Sequence, residues 1–291
     1  MGALTVVAPA KINLYLGVGA LRPDGYHAVA TVMHTLELAD TVRIMDADEL
    51  TVTTSVDLGI EEADNLAYRA ALAFAEEFGE PVRTVIEIEK RIPAQAGLGG
   101  GSSDAAAVLA GLARLRGVRA DDPRLVRTAR RLGADCAFLL VGGCAVMRGR
   151  GDEYARKLPT LSADVVLVRP EGAVSTADAY RTFDAAPERA ADIRPVTDSI
   201  CFRDLPALGA ALANNLTAAS ISLVPGVGEA LAWVQGERGI LGVAMAGSGS
   251  AVFGICEDSA AAVRIAEAAQ ALGWWAVATR TGAHGATVTD E

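Results

Sequence analysis

Between Pro93 and Ala106 the chain reads PAQAGLGGGSSDAA. Three successive glycines and two serines stand directly before an alanine-rich apolar run. Glycine lets a backbone approach a ligand closely and turn through positive φ. A helix that begins after such a loop offers free N–H groups and the positive end of its dipole. Together these features make an anion seat suited to phosphate. The flanks argue against a flexible linker, because VRTVIEIEKRIP alternates like a strand and DAAAVLAGLARLRG has helical periodicity. A tight structural turn remains the alternative. Two common phosphate fingerprints do not fit: no lysine follows the glycines, and Ser102 stands where G-x-G-x-x-G needs its third glycine.

Phosphoryl transfer asks for little more than an in-line hydroxyl, a carboxylate to take its proton late, and a nearby cation. Asp135, in RLGADCAFLL, lies between a helix pattern and a strongly apolar segment, an awkward place for an unpaired charge. It reads either as a cap on the following turn or as such a carboxylate. Lys11, in APAKINLYLGV, reads either as a solvated strand lysine or as the cation. Tyr26 and His27 end the RPDGYH turn, where they could be ordinary exposed turn residues or a stacking face and hydrogen-bonding edge for a nucleobase.

Four segments, in order, resemble the motifs of the GHMP kinase superfamily: APAKINLYLGV, RPDGYH, PAQAGLGGGSSDAA and AGSGSAVFG. The resemblance covers nearly the whole chain. It implies an α+β, two-domain GHMP kinase fold, with a ribosomal protein S5 domain 2-like N-terminal domain and a ferredoxin-like α/β-sandwich C-terminal domain. The active site would lie in the cleft between them. It implies ATP and Mg²⁺ as cofactors, with metal ligands left unassigned. PAKINLYL combined with RPDGYH points to the branch whose acceptor is a cytidine diphosphate-linked methylerythritol, phosphorylated at its 2-hydroxyl on the non-mevalonate isoprenoid route.

By the same resemblance, Asp135 is the base and Lys11 its cation. Gly97, Gly99, Gly100, Gly101, Ser102 and Ser103 cradle the ATP phosphates, and Asn65 and Lys90 resemble adenine-pocket residues. Asn13, Tyr26, His27 and Tyr180 contact the acceptor, and Gly247, Ser248 and Gly249 close over the reacting groups. From the residues alone, Asn65 reads more readily as a helix cap, while Lys90 reads equally as a solvated strand charge and AGSGSA equally as a tight hairpin between two strands. The chain departs from the family pattern at Cys136-Ala137-Phe138 and at Ala246-Gly247-Ser248-Gly249-Ser250. Both lie near the proposed chemistry and bear on loop geometry. Another GHMP acceptor, or a non-catalytic nucleotide-binding relative, are the alternatives; retention of both Lys11 and Asp135 argues against the second.

The elements that must position these residues follow from periodicity. Strands are expected over Leu4–Val18, VATVMHTLEL, DTVRIM and ELTVTTSV, and a helix over EADNLAYRAALAFAEEFG, capped by Asp64 or Asn65 and ended by Gly79. The charged patch RGRGDEYARKLP suggests a boundary near residue 155, giving an ATP-binding unit over 1–155 and a substrate-binding unit over 156–291. LGAALANNLTAASISL reads as one helix, and Ala185–Pro206 as a long loop. His34 and His284 read as core or surface histidines, Trp274 and Trp275 as packing.

With 291 residues, 51% of them hydrophobic, and a formal net charge of −10, the chain can bury a large core and has no basic footprint for nucleic acid. The four scattered cysteines read as reduced thiols. No targeting or membrane segment is recognised, so a cytoplasmic enzyme acting on a small molecule, monomeric or homodimeric, is expected.

Overall fold

Alternating apolar residues make two long antiparallel strands the base of the molecule. In the computed structural model, which describes residues 3–289, β1 (Leu4–Leu21) and β2 (His27–Asp46) pair along most of their length around the RPDGYH turn. The chain continues through β3 (Thr51–Thr54), α1 (Leu66–Phe78), β4 (Thr84–Glu89), α2 (Gly100–Leu115), α3 (Pro123–Leu132), α4 (Cys136–Val141), β5 (Cys144–Arg148) and β6 (Glu153–Leu158). The far half of β2 pairs with β4, and the near half with β5, which carries β6.

A second, four-stranded antiparallel sheet follows. The second half of the chain runs through β7 (Asp164–Arg169), α5 (Thr176–Ala185), α6 (Arg194–Phe202), α7 (Leu205–Ala211), β8 (Ala213–Asn214), α8 (Thr217–Leu223), α9 (Gly226–Gly236), β9 (Ile240–Met245), β10 (Val252–Cys256), α10 (Ser259–Ala271) and β11 (Trp275–Arg280). The strand order is β11-β7-β10-β9.

Two pieces of the second half join the first sheet. The short β8 lies parallel to β1, and β12 (Thr287–Thr289) pairs antiparallel with its start, Thr5 opposite Thr289. The boundary expected near residue 155 falls inside β6. One apolar core runs between the sheets, with Ile12, Leu14 and Leu36 of the first against Leu167, Phe253 and Ile255 of the second. Sheets joined by a continuous dry core hold the wall of a cleft between them in fixed register.

Three elements differ from the sequence reading. The helix after the glycines begins at Gly100 rather than at Asp104. The expected long loop contains α6, since Pro195 sits in the first turn, where its missing N–H removes no hydrogen bond. The expected single helix over 208–223 breaks at Leu212–Leu216, because Asn214 and Asn215 leave helical geometry to bind other backbone. Asn214 Nδ2 donates to the carbonyls of Met245 and Gly247, while Asn215 exchanges hydrogen bonds with the N–H and C=O of Val18. Among the described residues, no helix is long and apolar enough to cross a membrane.

Candidate active site

A cleft of about 560 Å³ opens between the sheets. Its floor is made where two glycine segments meet. Lys11 N donates to Leu98 O and Ala251 N to Ala96 O, so β1, the collar at 96–99 and the 246–251 loop are tied edge to edge. Gly97 has φ +74, and a Cβ there would overlap the Ala246 carbonyl oxygen. Gly247 has φ +55, and a Cβ there would stand 3.0 Å from Gly97 O and 3.2 Å from Lys11 Nζ. Both positions need glycine for conformation and for space.

Lys11 projects from β1 into this floor with its side chain only 4% exposed. Its ammonium lies 3.2 Å from Asp135 Oδ2 and donates to Asn13 Oδ1 at 2.8 Å. Asp135 occupies the N-cap position of α4 but makes no side-chain capping bond. The cap reading of that residue therefore fails, and its carboxylate is turned into the cleft. Asn13 is held at both ends of its amide: Oδ1 also accepts from Gly247 N at 3.0 Å, and Nδ2 donates to Thr31 Oγ1 at 2.9 Å. It is thus a brace that fixes the lysine and the far glycine loop at one distance.

The collar leads into α2, whose N-cap is Gly99 in left-handed geometry, with Gly100, Gly101 and Ser102 forming the first turn along the wall. No side chain caps this helix, so its leading N–H groups face the cleft unclaimed by a capping oxygen. Ser103 does not join the wall. One helical step turns it toward β1, where its buried hydroxyl donates to Pro9 O at 2.7 Å.

Lys90 lines the cleft, yet it is not a solvated strand charge. Its side chain is only 5% exposed and donates to Asp40 and, at 2.6 Å, to Asp104 Oδ2. Burial alone would lower its pKa, but the Asp104 and Asp40 charges outweigh that and hold it above the ordinary lysine value. Burial, reinforced by Asp40 and opposed by Lys90, pushes Asp104 up to about 7. Asp104 Oδ1 has no hydrogen-bond partner. Asp40 also accepts from the backbone N–H groups of Arg91 and Ile92, so this cluster pins the entry to the collar. Asn65 caps α1 through Ala67 N at 2.9 Å and lines the same wall.

The opposite wall is α5. Thr176, Tyr180 and Asp184 recur every fourth residue on one helical face. Thr176 Oγ1 meets Ser248 Oγ at 2.9 Å, and the Tyr180 ring lies 5.2 Å from that of His27. Burial, with Asp135 adding to it, pushes the Tyr180 hydroxyl up to about 12. Asp184 Oδ1 is 2.7 Å from His27 Nε2. Tyr26 stays outside the wall, 54% exposed, with the Arg150 guanidinium 4.7 Å from its ring centroid and Arg150 itself lining the cleft. Gly249 is likewise outside, turning back so that its N–H donates to Ala246 O.

The structure therefore gathers Lys11, Asp135, Asn13, Asn65, Lys90, Gly97, Gly99, Gly100, Gly101, Ser102, Tyr180, Gly247 and Ser248 around one cleft. Sequence reasoning missed Asp40, Asp104, Arg150, Thr176, Asp184 and Asn214. Asp104 stands within the glycine motif itself; Asp40, Thr176, Asp184 and Asn214 acquire a role only through partners far along the chain.

Residues 65–143 match the family model "GHMP kinases N terminal domain", and residues 197–273 match "GHMP kinases C terminal". The first span holds the glycine collar and Asp135, the second the Ala246–Ala251 loop. The chain belongs to the GHMP kinases. This GHMP kinase is 38% identical over 271 residues to a protein of Pelotomaculum thermopropionicum named 4-diphosphocytidyl-2-C-methyl-D-erythritol kinase, covering 90% of this chain and 92% of that one. A Geobacter sulfurreducens protein of the same name is 37% identical over 283 residues, covering 97% and 100%. A crystal structure of 4-(cytidine 5'-diphospho)-2C-methyl-D-erythritol kinase superposes with a TM-score of 0.79 at 35% identity, covering 96% and 99%. A homoserine kinase from Cytophaga hutchinsonii superposes at 0.73 with 20% identity, a likeness of fold. As a GHMP kinase the chain has the α+β architecture of both domains and is an ATP-dependent small-molecule kinase.

Proposed function

We propose that this GHMP kinase phosphorylates the 2-hydroxyl of 4-diphosphocytidyl-2-C-methyl-D-erythritol, in the cytoplasm, with Mg²⁺-ATP as donor. The observation that carries the chemistry is the Lys11 Nζ–Asp135 Oδ2 contact of 3.2 Å on the cleft floor, beside the start of α2. The curated relatives are named for this acceptor, and His27 against Tyr180 offers a ring and a hydrogen-bonding edge for its cytosine. Gly99 to Ser102 form a backbone cradle that a Cβ would narrow: at Gly100 it would lie 3.1 Å from Ile92 Cγ2. This concave run of N–H groups fits a triphosphate.

Among the described residues no group of three His, Cys, Asp or Glu could hold a metal. Mg²⁺ takes one or two protein oxygens and is otherwise held by phosphates and water. Ser102 and Asp104, in the first turns of α2, are the wall oxygens that would serve.

When bound, ATP would supply the γ-phosphoryl group, and Mg²⁺ held beside Ser102 and Asp104 would draw charge from its oxygens. Asp135 Oδ2 accepts the acceptor's hydroxyl proton as the new P–O bond forms and the bond from the γ-phosphorus to the β,γ-bridging oxygen breaks, with ADP as the leaving group. Lys11 stands beside that carboxylate and offers its charge to the transferring group. Asn13 fixes Lys11 relative to Gly247, so the two sheets keep the reacting atoms in line.

Incubating the protein with γ-labelled ATP and separate acceptors (the cytidylated methylerythritol, homoserine, mevalonate and galactose) tests this reading. Label should pass only to the first, and ³¹P NMR should place it on the 2-oxygen. Transfer to another alcohol in the panel, or ATP hydrolysis alone, would overturn the assignment.

A further inference from the structure

Helix α5 carries a second polar contact, beside the cleft, that the phosphoryl chemistry leaves unused. Asp184 Oδ1 lies 2.7 Å from His27 Nε2, joining the second half of the chain to the turn between β1 and β2. The imidazole is buried, with 7% of its side chain exposed, while the carboxylate is 52% exposed. Tyr180 and Phe183, from the same helix, pack on the ring at 5.2 Å and 6.1 Å, the second edge-on. The ring is therefore held in one orientation by three side chains of one helix.

The Asp184 carboxylate oxygen is the acceptor in this contact. The hydrogen in this contact must sit on Nε2, so in the neutral ring Nδ1 carries the lone pair. Among the described residues Nδ1 has no hydrogen-bond partner. A ring nitrogen fixed as an acceptor pairs with an N–H donor and is repelled by a carbonyl. Cytosine presents an exocyclic amino group at the position where uracil presents an oxygen. We propose that Asp184 is a positioning residue: by fixing the His27 tautomer it makes the pocket select a cytosine-bearing acceptor over its uracil analogue. The inference rests on the acceptor reading above and extends it to the residue that sets base choice.

The logic is that of a carboxylate orienting a histidine whose other nitrogen does the recognising. A buried polar site built for one hydrogen-bonding pattern rejects the wrong partner strongly, because its own group is then left unpaired.

The test measures binding of CDP and UDP by calorimetry to the parent protein, Asp184→Ala and Asp184→Asn. The parent should prefer CDP. In D184A the CDP-to-UDP preference should fall by roughly ten-fold or more, since the freed ring adopts either tautomer. D184N should recover much of the preference, because its amide oxygen still accepts from Nε2–H. Nitrogen-15 spectra of His27 give an independent readout: protonated Nε2 and bare Nδ1 in the parent, a mixture in D184A. Affinity for an ATP analogue should not change.

A preference unchanged in D184A, or both nucleotides weakened by one factor, would overturn the inference while leaving the acceptor reading intact. So would an unchanged His27 spectrum. A parent protein that bound neither nucleotide would sink the acceptor reading, and this inference with it.

Discussion

At Asp135 the question is how a carboxylate beside an apolar helix stays available for chemistry. It makes no capping bond, and Lys11 Nζ at 3.2 Å is the cation beside it. Asp135→Asn keeps the shape but cannot take a proton. Single-turnover transfer should fall by roughly 10²–10⁴-fold, while affinity for a non-hydrolysable ATP analogue stays within about two-fold. Turnover close to the parent's would remove Asp135 from the reaction. Asn13 makes a different prediction. Both ends of its amide are occupied by Lys11, Gly247 and Thr31. Asn13→Ala should therefore lower kcat, by releasing Lys11, more than it raises the acceptor KM. A pure KM effect would return Asn13 to the direct-contact role suggested by resemblance.

At the scale of elements, the cleft depends on where β4, α2 and the two glycine segments meet. Lys90 joins the end of β4 to Asp40 on β2 and Asp104 on α2. Lys90→Met leaves two buried carboxylates without a cation, which costs about 3–5 kcal/mol in comparable buried pairs. The urea midpoint should drop accordingly, and a drop of under about 1 kcal/mol would mean the carboxylates find other partners. Gly97→Ala is destabilising for another reason: its left-handed φ and the overlap with Ala246 O push the two loops apart. Strain at such a position is worth roughly 1–3 kcal/mol before the overlap is counted, and differential scanning calorimetry would read it as a lowered Tm.

Much of this element-level order was legible beforehand. Asn65 and Gly79 bracket α1 as expected, and the glycine run does open a helix. The failures have physical causes. Residues 208–223 keep helical periodicity throughout, and nothing local reveals that Asn214 is drawn out by the carbonyls of Met245 and Gly247. Pro195 reads as a breaker, yet proline in a first turn starts a helix. Lys90 and Asp40 are fifty residues apart in the chain, and only the sheet brings them together.

For the whole molecule, His34 records the acid limit. It is fully buried on β2, with Nε2 accepting from Leu161 N at 3.1 Å and Nδ1 facing Thr35 O at 2.9 Å. Burial lowers its pKa from 6.5 to about 4. The folded state thus favours the neutral ring. Its contribution is complete above pH 6.5, declines as the unfolded chain takes up a proton first, and is gone near pH 4. The decline amounts to about 3 kcal/mol. His34→Gln should be less stable than the parent at pH 8, with the gap narrowing as pH falls from 6.5 to 4. Urea titrations across that range check it, and a constant gap would show that His34 does not titrate on unfolding.

The return of β12 to β1 also decides how the molecule yields to force. Thr5 stands opposite Thr289 in an antiparallel pair, so the start of one strand and the finish of the other emerge side by side. Tension applied across them would peel the terminal strand away rung by rung, never loading its few bonds together. Handles tethered near those two positions should register a small early yield in an optical trap, well before the interior gives way.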